Sequence, residues 1–294
     1  MGLLDILLNR GRCSIPFNVQ RIMNESSVAC NRIAIARDFA VLLKENDWEL
    51  ELIGRNPEFR QLCRTTKKRF VKLAAGFDGY MALADDGCVY AGPKAREFEC
   101  GIKIEQLRNV ADIVACEGHT VALHNNGRVT CVDEPGGWEG VPNHSRIVQE
   151  WHNIKQVAVG YSNIIGLTNE GRVLYHSEDR CTNPHFYDRF SDIVQVDCYS
   201  HYYGTDSSLV LHRDGTVSSD TFDGVESWKN IVQISVGADV GIGLKSDGTV
   251  EIVDNRNTRN EVKDWNNLLC VVCKFFGVVG ITKDGKVRSL FAQP

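Results

Sequence analysis

The sequence lacks the segments that would anchor it in a membrane or export it. Its 294 residues contain no apolar run of the roughly 18 residues that a transmembrane helix needs. Met1–Arg10 carries Asp5 and has neither a basic start nor a long apolar core, which excludes a secretory signal. The net charge of −5 provides no general attraction to nucleic acid. We therefore expect a cytoplasmic protein without a membrane span or a nucleic-acid partner.

The motifs of common enzyme classes are also missing. The chain has no His-Glu-x-x-His, no phosphate-binding P-loop and no Gly-x-Ser-x-Gly, so we expect no catalytic residues and no enzymatic activity. The 11 cysteines follow no disulfide framework, and we expect reduced thiols. Cys270 and Cys273 fall in a predicted strand, where residues three apart point to opposite faces. We predict no metal site and no cofactor.

The sequence does contain a repeat of about 40 residues. The frame is an apolar residue followed, at fixed spacing, by a second apolar residue, a small residue, an aliphatic residue and a glycine. The copy at Tyr199 is five residues longer, and the first copy has Asn46-Asp47 in place of the glycine turn. One copy reads Ile154, Val157, Gly160, Leu167, Gly171, and another reads Ile231, Ile234, Gly237, Leu244, Gly248. Seven copies align over residues 28–291.

Each copy has the pattern of short β-strands. Residues 231–236 and 240–244 are two branched apolar runs, and Asp247-Gly248 predicts a two-residue hairpin in which both residues have positive φ. A third run covers residues 249–253, and a weaker fourth run precedes Trp265. Four short strands per repeat are typical of a propeller blade. We predict an all-β fold, a seven-bladed β-propeller of four-stranded blades, in one domain of residues 1–294.

The two ends of the repeat region suggest how the ring closes. The last copy ends with its third strand at Phe291, and residues 12–22 precede the first copy without belonging to one. We predict that residues 12–22 form the outer strand of the last blade, which removes two open sheet edges. Residues 1–11 are then an N-terminal extension, and we expect a monomeric ring.

The repeat resembles that of the regulator of chromosome condensation in its bacterial form. The pattern Trp-x-Asn-Ile is matched at residues 151–154 and 228–231, and at residues 265–268 with Leu268 in place of isoleucine. The resemblance implies a seven-bladed propeller over residues 28–291 and leaves the function open, because members include a GTPase exchange factor and a secreted β-lactamase inhibitor. The Gly-Gln-Leu-Gly stretch of eukaryotic members is absent, and their second-strand histidine is matched only by His119.

The repeat geometry predicts two different faces. The Asp-Gly turns and the Trp-x-Asn-Ile joins lie on one face and are nearly constant in length. The opposite face carries loops of different length and chemistry, at residues 91–104, 132–146, 176–189, 219–226 and 254–262. An insertion of five residues after Tyr199 lies on the same face. Variable insertions on one face of a repeat ring mark a binding face, so we expect a protein or peptide partner there.

Aromatic and acidic residues follow the small-residue position in most copies, where they would surround the mouth of the channel. Large, rigid side chains bind partners at low entropic cost. The predicted partner-binding residues are Phe39, Phe77, Asp78, His119, Trp138, Tyr161, Tyr199, His201, Tyr202, Tyr203, Asp239, Phe275 and Phe276. In the competing interpretation several of these rings plug the channel or pack between blades. Trp151, Trp228 and Trp265 recur at one repeat position and are expected to pack within blades.

Two alternative functions remain open at this stage. The first is a small-ligand or enzymatic site at the channel mouth, built from His119, His201, Asp78 and Asp239. The second is an adaptor for nucleic acid or an acidic partner through the basic stretch 55–72, chiefly Arg64, Lys67, Lys68 and Arg69. A strand edge protected by charge against sheet-to-sheet pairing explains the same stretch.

Overall fold

Seven antiparallel sheets of three strands each make up most of the computed structural model. The structure describes residues 17–36, 39–43, 50–54, 68–76, 80–91, 104–116, 119–133, 144–177, 183, 185–200, 206–238, 240–254, 259–275 and 277–291. Sheets 1 to 7, numbered in chain order, each contain three consecutive strands, with the middle strand paired to both others.

The strand bounds repeat closely from sheet to sheet. Sheets 1 to 3 contain β1 (Ile33–Ile35), β2 (Phe39–Leu43), β3 (Leu50–Gly54), β4 (Phe70–Ala75), β5 (Tyr80–Ala84), β6 (Val89–Ala91), β7 (Val110–Cys116), β8 (His119–His124) and β9 (Val129–Asp133). Sheets 4 and 5 contain β10 (Ile154–Val159), β11 (Asn163–Thr168), β12 (Val173–Ser177), β13 (Ile193–Tyr199), β14 (Ser207–His212) and β15 (Val217–Ser218). Sheets 6 and 7 contain β16 (Ile231–Gly237), β17 (Val240–Lys245), β18 (Val250–Asp254), β19 (Leu268–Lys274), β20 (Gly277–Thr282) and β21 (Val287–Phe291).

Short helical segments precede the joins, where fourth strands were predicted, and the described residues of each sheet form three strands instead of four. The segments that follow sheets 2 to 6 are Ile104–Gln106, α2 (His144–Val148), Phe186–Arg189, Val225–Ser227 and α3 (Arg259–Val262). Each contains a buried apolar residue whose carbonyl accepts a backbone hydrogen bond from the residue that begins the next join, as Val225 does from Trp228 at 3.0 Å. One helical turn therefore buries its apolar residue without adding an unpaired strand edge.

The N-terminal part of the chain is helical. Helix α1 covers Phe17–Cys30, so the closing strand predicted over residues 12–22 is wrong from residue 17 onward, and residues 12–16 lie outside the described residues. Val19, Ile22 and Met23 have helical spacing and pack against the hydrophobic cluster between sheets 6 and 7. A helix that docks one stripe on two sheets replaces the strand that we expected there.

The first strands of the seven sheets form the inner layer of the molecule. Each contacts the first strand of the following sheet, and β19 of sheet 7 contacts β1 of sheet 1. Ile33 and Leu42 of sheet 1 share a hydrophobic cluster with Cys270 and Val279 of sheet 7, and Ala29 of α1 completes it. The last sheet therefore packs directly on the first. All seven first strands contribute residues to one central cavity.

Hydrogen bonds at the glycine turns link each sheet to the next. The glycines of the six described turns, Gly87, Gly127, Gly171, Gly215, Gly248 and Gly285, have φ between 75° and 87°. The acidic or amide residue before each glycine does not, so the expectation of two positive φ values is wrong. That residue has no positive φ, and in four of the turns its side chain accepts a hydrogen bond from the amide two residues on, as Asp247 does from Thr249 at 2.9 Å. The glycine carbonyl then accepts from the next sheet, as Gly248 does from Leu268 at 3.0 Å.

Candidate protein-binding face and central cavity

The two ends of the sheets differ in how they are held. We call the end with the glycine turns the turn face, and the opposite end, where first and third strands finish, the variable-loop face. On the turn face the asparagines of four joins, Asn109, Asn153, Asn230 and Asn267, have φ near 60°. Their carbonyls accept from the turn of the same sheet, as Asn153 does from Asn169 at 3.0 Å. The repeated Asn of the motif is therefore a backbone requirement of the turn face.

Most predicted partner-binding residues lie outside the described residues. These are Phe77, Asp78, Trp138, His201, Tyr202, Tyr203, Asp239 and Phe276, together with Arg64 and Lys67 of the basic stretch. Phe39 is described only by its backbone, as the first residue of β2. The structure describes four of the predicted side chains: His119, Tyr161, Tyr199 and Phe275.

Tyr199 and Phe275 are buried against each other where β13 and β19 end, on the side of the variable-loop face. Each is 1% exposed, and their rings meet edge to face with centroids 5.6 Å apart. Lys274 reaches across the cavity from sheet 7, where its Nζ donates to the Val159 carbonyl of sheet 4 at 3.2 Å and lies 5.9 Å from the Tyr199 ring centroid. In this structure the two rings are unavailable to a partner and have the packing role of the competing interpretation.

His119 belongs to a buried histidine cluster that the sequence did not reveal. Its Nε2 donates to the Tyr161 carbonyl at 3.0 Å, and its ring lies 4.5 Å from the fully buried ring of His144. His144 Nε2 approaches the same carbonyl at 3.3 Å, and its ring lies 6.2 Å from that of His176. Tyr161 itself is half-buried. The three histidines come from different sheets and from α2, so no sequence spacing links them.

A buried carboxylate at the start of β14 ties sheet 5 to sheet 4. Asp206 directly follows the insertion and is 1% exposed. It accepts hydrogen bonds from the hydroxyls of Ser162 at 2.5 Å, Tyr175 at 3.4 Å and Ser177. Burial, and then the Asp206 charge, raise the pKa of Tyr175. Because three hydroxyls already satisfy it, the carboxylate is arranged as an anchor. An acid placed just after an insertion was the signal that sequence reasoning missed.

Gly160 allows a tight backbone contact beside this anchor. A Cβ on Gly160 would lie 2.1 Å from Asn163 Oδ1 and 2.5 Å from the Ser200 amide nitrogen. Ser200 in turn accepts from the Ser162 amide through its Oγ at 2.8 Å and from the Tyr161 amide through its carbonyl at 3.2 Å. The variable-loop end of sheet 4 is therefore tied to sheet 5 by backbone contacts that leave no space for a side chain.

Three glutamines join consecutive inner strands. Gln195 donates to the Ile234 carbonyl at 3.0 Å and accepts from the Ile234 amide at 2.8 Å. Gln156 makes the same pair of bonds to Val196, and Gln233 makes it to Val271. Each glutamine follows a β-bulge at the start of its strand, and bulges redirect side chains. The amide side chains thereby extend hydrogen bonding from sheet to sheet around the cavity.

The basic stretch is partly neutralised where it is described. Lys68 Nζ lies 2.7 Å from Asp86 Oδ2, and both residues are exposed. The ion pair raises the pKa of Lys68 and lowers that of Asp86. Arg69 is exposed as well. A lysine that already has a carboxylate partner contributes little to a polyanion site.

Comparison with known proteins places this architecture. No protein-family model matches the chain, and no curated protein sequence matches it. The CRINKLY WD40 ectodomain of the receptor kinase ACR4 from Arabidopsis thaliana has a TM-score of 0.64 and 11% identity, over 89% of this chain and 95% of that chain. Yeast RCC1 (Prp20), solved with Kap60, has a TM-score of 0.59 and 14% identity, over 96% and 84%. Saccharomyces cerevisiae Prp20p solved in a second structure has a TM-score of 0.55 and 14% identity, over 83% and 80%.

The chain has a β-propeller fold. The predicted propeller is confirmed, while membership of the chromosome-condensation-regulator family and a bacterial source stay predictions, because identities this low carry the fold alone. Trp151, Trp228 and Trp265 are all buried, as predicted.

Three further findings concern the cysteines, a membrane span and a metal site. Cys270 and Cys273 pack into different hydrophobic clusters, as expected for strand residues three apart. Within the described ranges no helix is long and apolar enough to cross a membrane. In the same part of the chain no group of three or more histidine, cysteine or acidic side chains is placed to hold a metal ion.

Proposed function

We propose that this chain is a non-enzymatic propeller that binds a protein or peptide on its variable-loop face. The observation that carries the proposal is the difference between the two faces. The turn face is occupied by hydrogen bonds from sheet to sheet, such as Val110 N–H to the Gly87 carbonyl and Ile154 N–H to the Gly127 carbonyl. The other face carries the segments that vary from copy to copy, and loops on a rigid scaffold are where repeat rings bind partners.

The seven sheets act as the seven blades of one closed ring in this proposal. Packing of sheet 7 on sheet 1, reinforced by α1, supports closure without a shared strand. The Asp206 anchor and the Gly160 contact support a rigid base for the inserted segment, which reduces the entropy lost on binding. Tyr161 and the predicted residues outside the described part, chiefly Tyr202, Tyr203 and Phe276, are the proposed contact residues.

Related folds agree with a binding role. The yeast Prp20p structure is described with its binding properties to Gsp1p and histones, and yeast RCC1 (Prp20) is described bound to Kap60. A propeller that acts by binding needs no catalytic residues, which fits the hydrogen-bonded, structural setting of His119 and Asp206.

Affinity capture from native lysate, with mass spectrometry of the retained proteins, tests this proposal. The loop-face variant combines Tyr202→Ala, Tyr203→Ala and Phe276→Ala, and the matched turn-face control combines Lys229→Ala and Asp264→Ala, two exposed residues. We expect one stoichiometric partner that the loop-face variant loses and the control retains, with unchanged circular dichroism for both. A partner lost only by the turn-face control would contradict the assignment of the face.

A further inference from the structure

Two cations, Lys155 and Arg213, lie at the turn-face end of the central cavity, and neither forms an ion pair with a carboxylate of the described residues. The cavity measures about 660 Å³, and its charged lining consists of Lys72, Asp112, Lys155, Asp197, Arg213 and Lys274. Lys72 forms an ion pair with Asp112, and the charge of Lys274 acts on Asp197. Lys155, on β10, and Arg213, in the turn after β14, have no such ion pair within the described part of the chain.

Arg213 is the less satisfied of the two. Its Nε is buried and has no hydrogen-bond partner among the described residues. A guanidinium offers five N–H donors, and a buried donor without an acceptor is costly. Such a group needs an acceptor that the described residues do not provide.

The positive charge of Arg213 acts on the Lys155 ammonium. Desolvation, followed by repulsion from Arg213, lowers the pKa of Lys155, and attraction to Glu170 offsets this only in part. Although Lys155 is exposed as a residue, its position in the cavity lining makes its charge harder to hydrate. Two like charges kept together against their repulsion are typical of a binding site rather than of a stabilising core.

Helix α1 places neutral polar groups on the same cavity. Its apolar stripe packs on sheets 6 and 7, while Gln20, Asn24 and Ser27 line the cavity with Asn31 just beyond the helix. Gln20 Nε2 donates to Asn24 Oδ1 at 3.0 Å, which leaves the Asn24 amide N–H groups as donors. Amide and hydroxyl donors that line the same cavity as two cations suit an anion with several acceptor oxygens.

We propose that the turn-face end of the cavity binds a small oxyanion, a phosphate or carboxylate group, through Arg213 and Lys155. Arg213 provides the planar pair of donors that such a group accepts, and Lys155 provides a second positive charge at the opening. The ligand would connect sheets 4 and 5, on the face opposite the proposed partner site. The proposal is independent of protein binding.

Isothermal titration calorimetry with inorganic phosphate, pyrophosphate and citrate tests this site on the full chain in chloride buffer. We expect saturable one-to-one binding of at least one probe, weakened about tenfold or more by Arg213→Gln and by Lys155→Gln. Lys229→Gln removes an exposed turn-face charge outside the cavity lining and should leave the affinity unchanged. Preference for pyrophosphate or phosphate would identify a phosphorylated ligand, and preference for citrate a carboxylate.

Proton uptake provides a readout that a general charge effect would not produce. Because a bound anion raises the depressed pKa of Lys155, binding at alkaline pH should take up protons, measured as a dependence of the heat on buffer ionisation enthalpy. Lys155→Gln should remove this uptake. Arg213→Lys retains the charge without the planar donors and should weaken binding while the protein stays folded.

Stability without the anion separates a binding role from a structural one. We expect Lys155→Gln and Arg213→Gln to raise the melting temperature in chloride buffer, because each relieves the repulsion, and to abolish any increase caused by the bound probe. No saturable binding of any probe, or an equal loss of affinity in Lys229→Gln, would overturn the proposal.

Discussion

At the residue scale, the clearest relation is between tryptophan and glycine. Trp151, Trp228 and Trp265 each begin a join, and each ring lies over a glycine of the middle strand in its own sheet. A Cβ on Gly166 would lie 2.7 Å from Trp151 Cζ3. Interiors packed at crystal density cannot absorb that overlap, so ring and glycine depend on one another.

Gly243→Ala should therefore destabilise the protein. The new Cβ would lie 2.9 Å from Trp228 Cε3 and 3.0 Å from Ile231 Cδ1, and overpacking of this kind costs about 1–3 kcal/mol. Urea denaturation measures the change. Trp228→Leu added to Gly243→Ala should recover part of the loss, since sheet 3 has Leu107 and Ala122 at these positions. A single variant as stable as the parent would show that the ring moves aside freely.

The buried carboxyl group of Asp197 should make the stability of the fold depend on pH. Burial raises its pKa above the ordinary 3.8, despite Lys274 and hydrogen bonds from Val236 N–H and the Ser235 hydroxyl. The folded state thus holds this proton more tightly than the unfolded state, so the Asp197 contribution to stability falls as pH rises from 3.8 through the raised pKa. Asp197→Asn lacks this titration.

The free energy of unfolding of Asp197→Asn, relative to that of the parent, should therefore be higher at pH about 7 than at pH about 4. Urea midpoints for both proteins at the two pH values provide the comparison. A difference that stays constant, or that moves in the opposite direction, would contradict the raised pKa.

At the scale of elements, the inner strands are joined by side chains. Backbone pairing ends within each sheet, and Gln156, Gln195 and Gln233 continue it to the next inner strand. Ser26 of α1 donates to Gln233 Oε1 at 2.9 Å, which brings the helix into the same network. Neighbouring sheets are thereby held in register by polar contacts as well as by packing.

Gln195→Met should test this network with little change of volume. The variant leaves the Ile234 amide and carbonyl without their partners, and a loss of about 1–3 kcal/mol is expected for buried polar groups. Guanidinium denaturation measures it, with the exposed Gln149→Met as the matched control. Equal stability of the two variants would mean that water replaces the lost bonds.

At the scale of the whole molecule, stability depends on the contact between the last sheet and the first. Sheets 7 and 1 share a hydrophobic cluster with Ala29, and α1 covers sheets 6 and 7 with its apolar stripe. A ring without a shared strand depends on this packing to keep its two terminal sheets together.

Deleting residues 1–22 should consequently lower the melting temperature by several degrees, because Val19 and Ile22 leave the cluster between sheets 6 and 7. Differential scanning calorimetry measures the shift. Val28→Ser changes an exposed α1 residue and should have little effect. An unchanged melting temperature for the deletion would show that α1 does not hold the ring.

Local sequence determined the strands, the turns and the repeat, because each depends on neighbours a few residues apart. The branched run at residues 231–236 and the glycine at position 248 are examples. The helical stripe of Val19, Ile22 and Met23 was also present in the sequence, although a strand was predicted there. The helical turns before the joins depend on the burial of one residue each, such as Val225. A strand pattern in the sequence does not predict that burial.

The repeat pattern of the sequence predicted the variable-loop face, whereas the buried clusters and the cavity site were decided by the tertiary structure. His119, His144 and His176 come from separate parts of the chain, and Lys155 and Arg213 meet only because sheets 4 and 5 are adjacent around the cavity. A repeat places residues about 40 positions apart side by side. Whether they then form an ion pair, an anchor or an uncompensated charge depends on distances and burial that only the folded ring establishes.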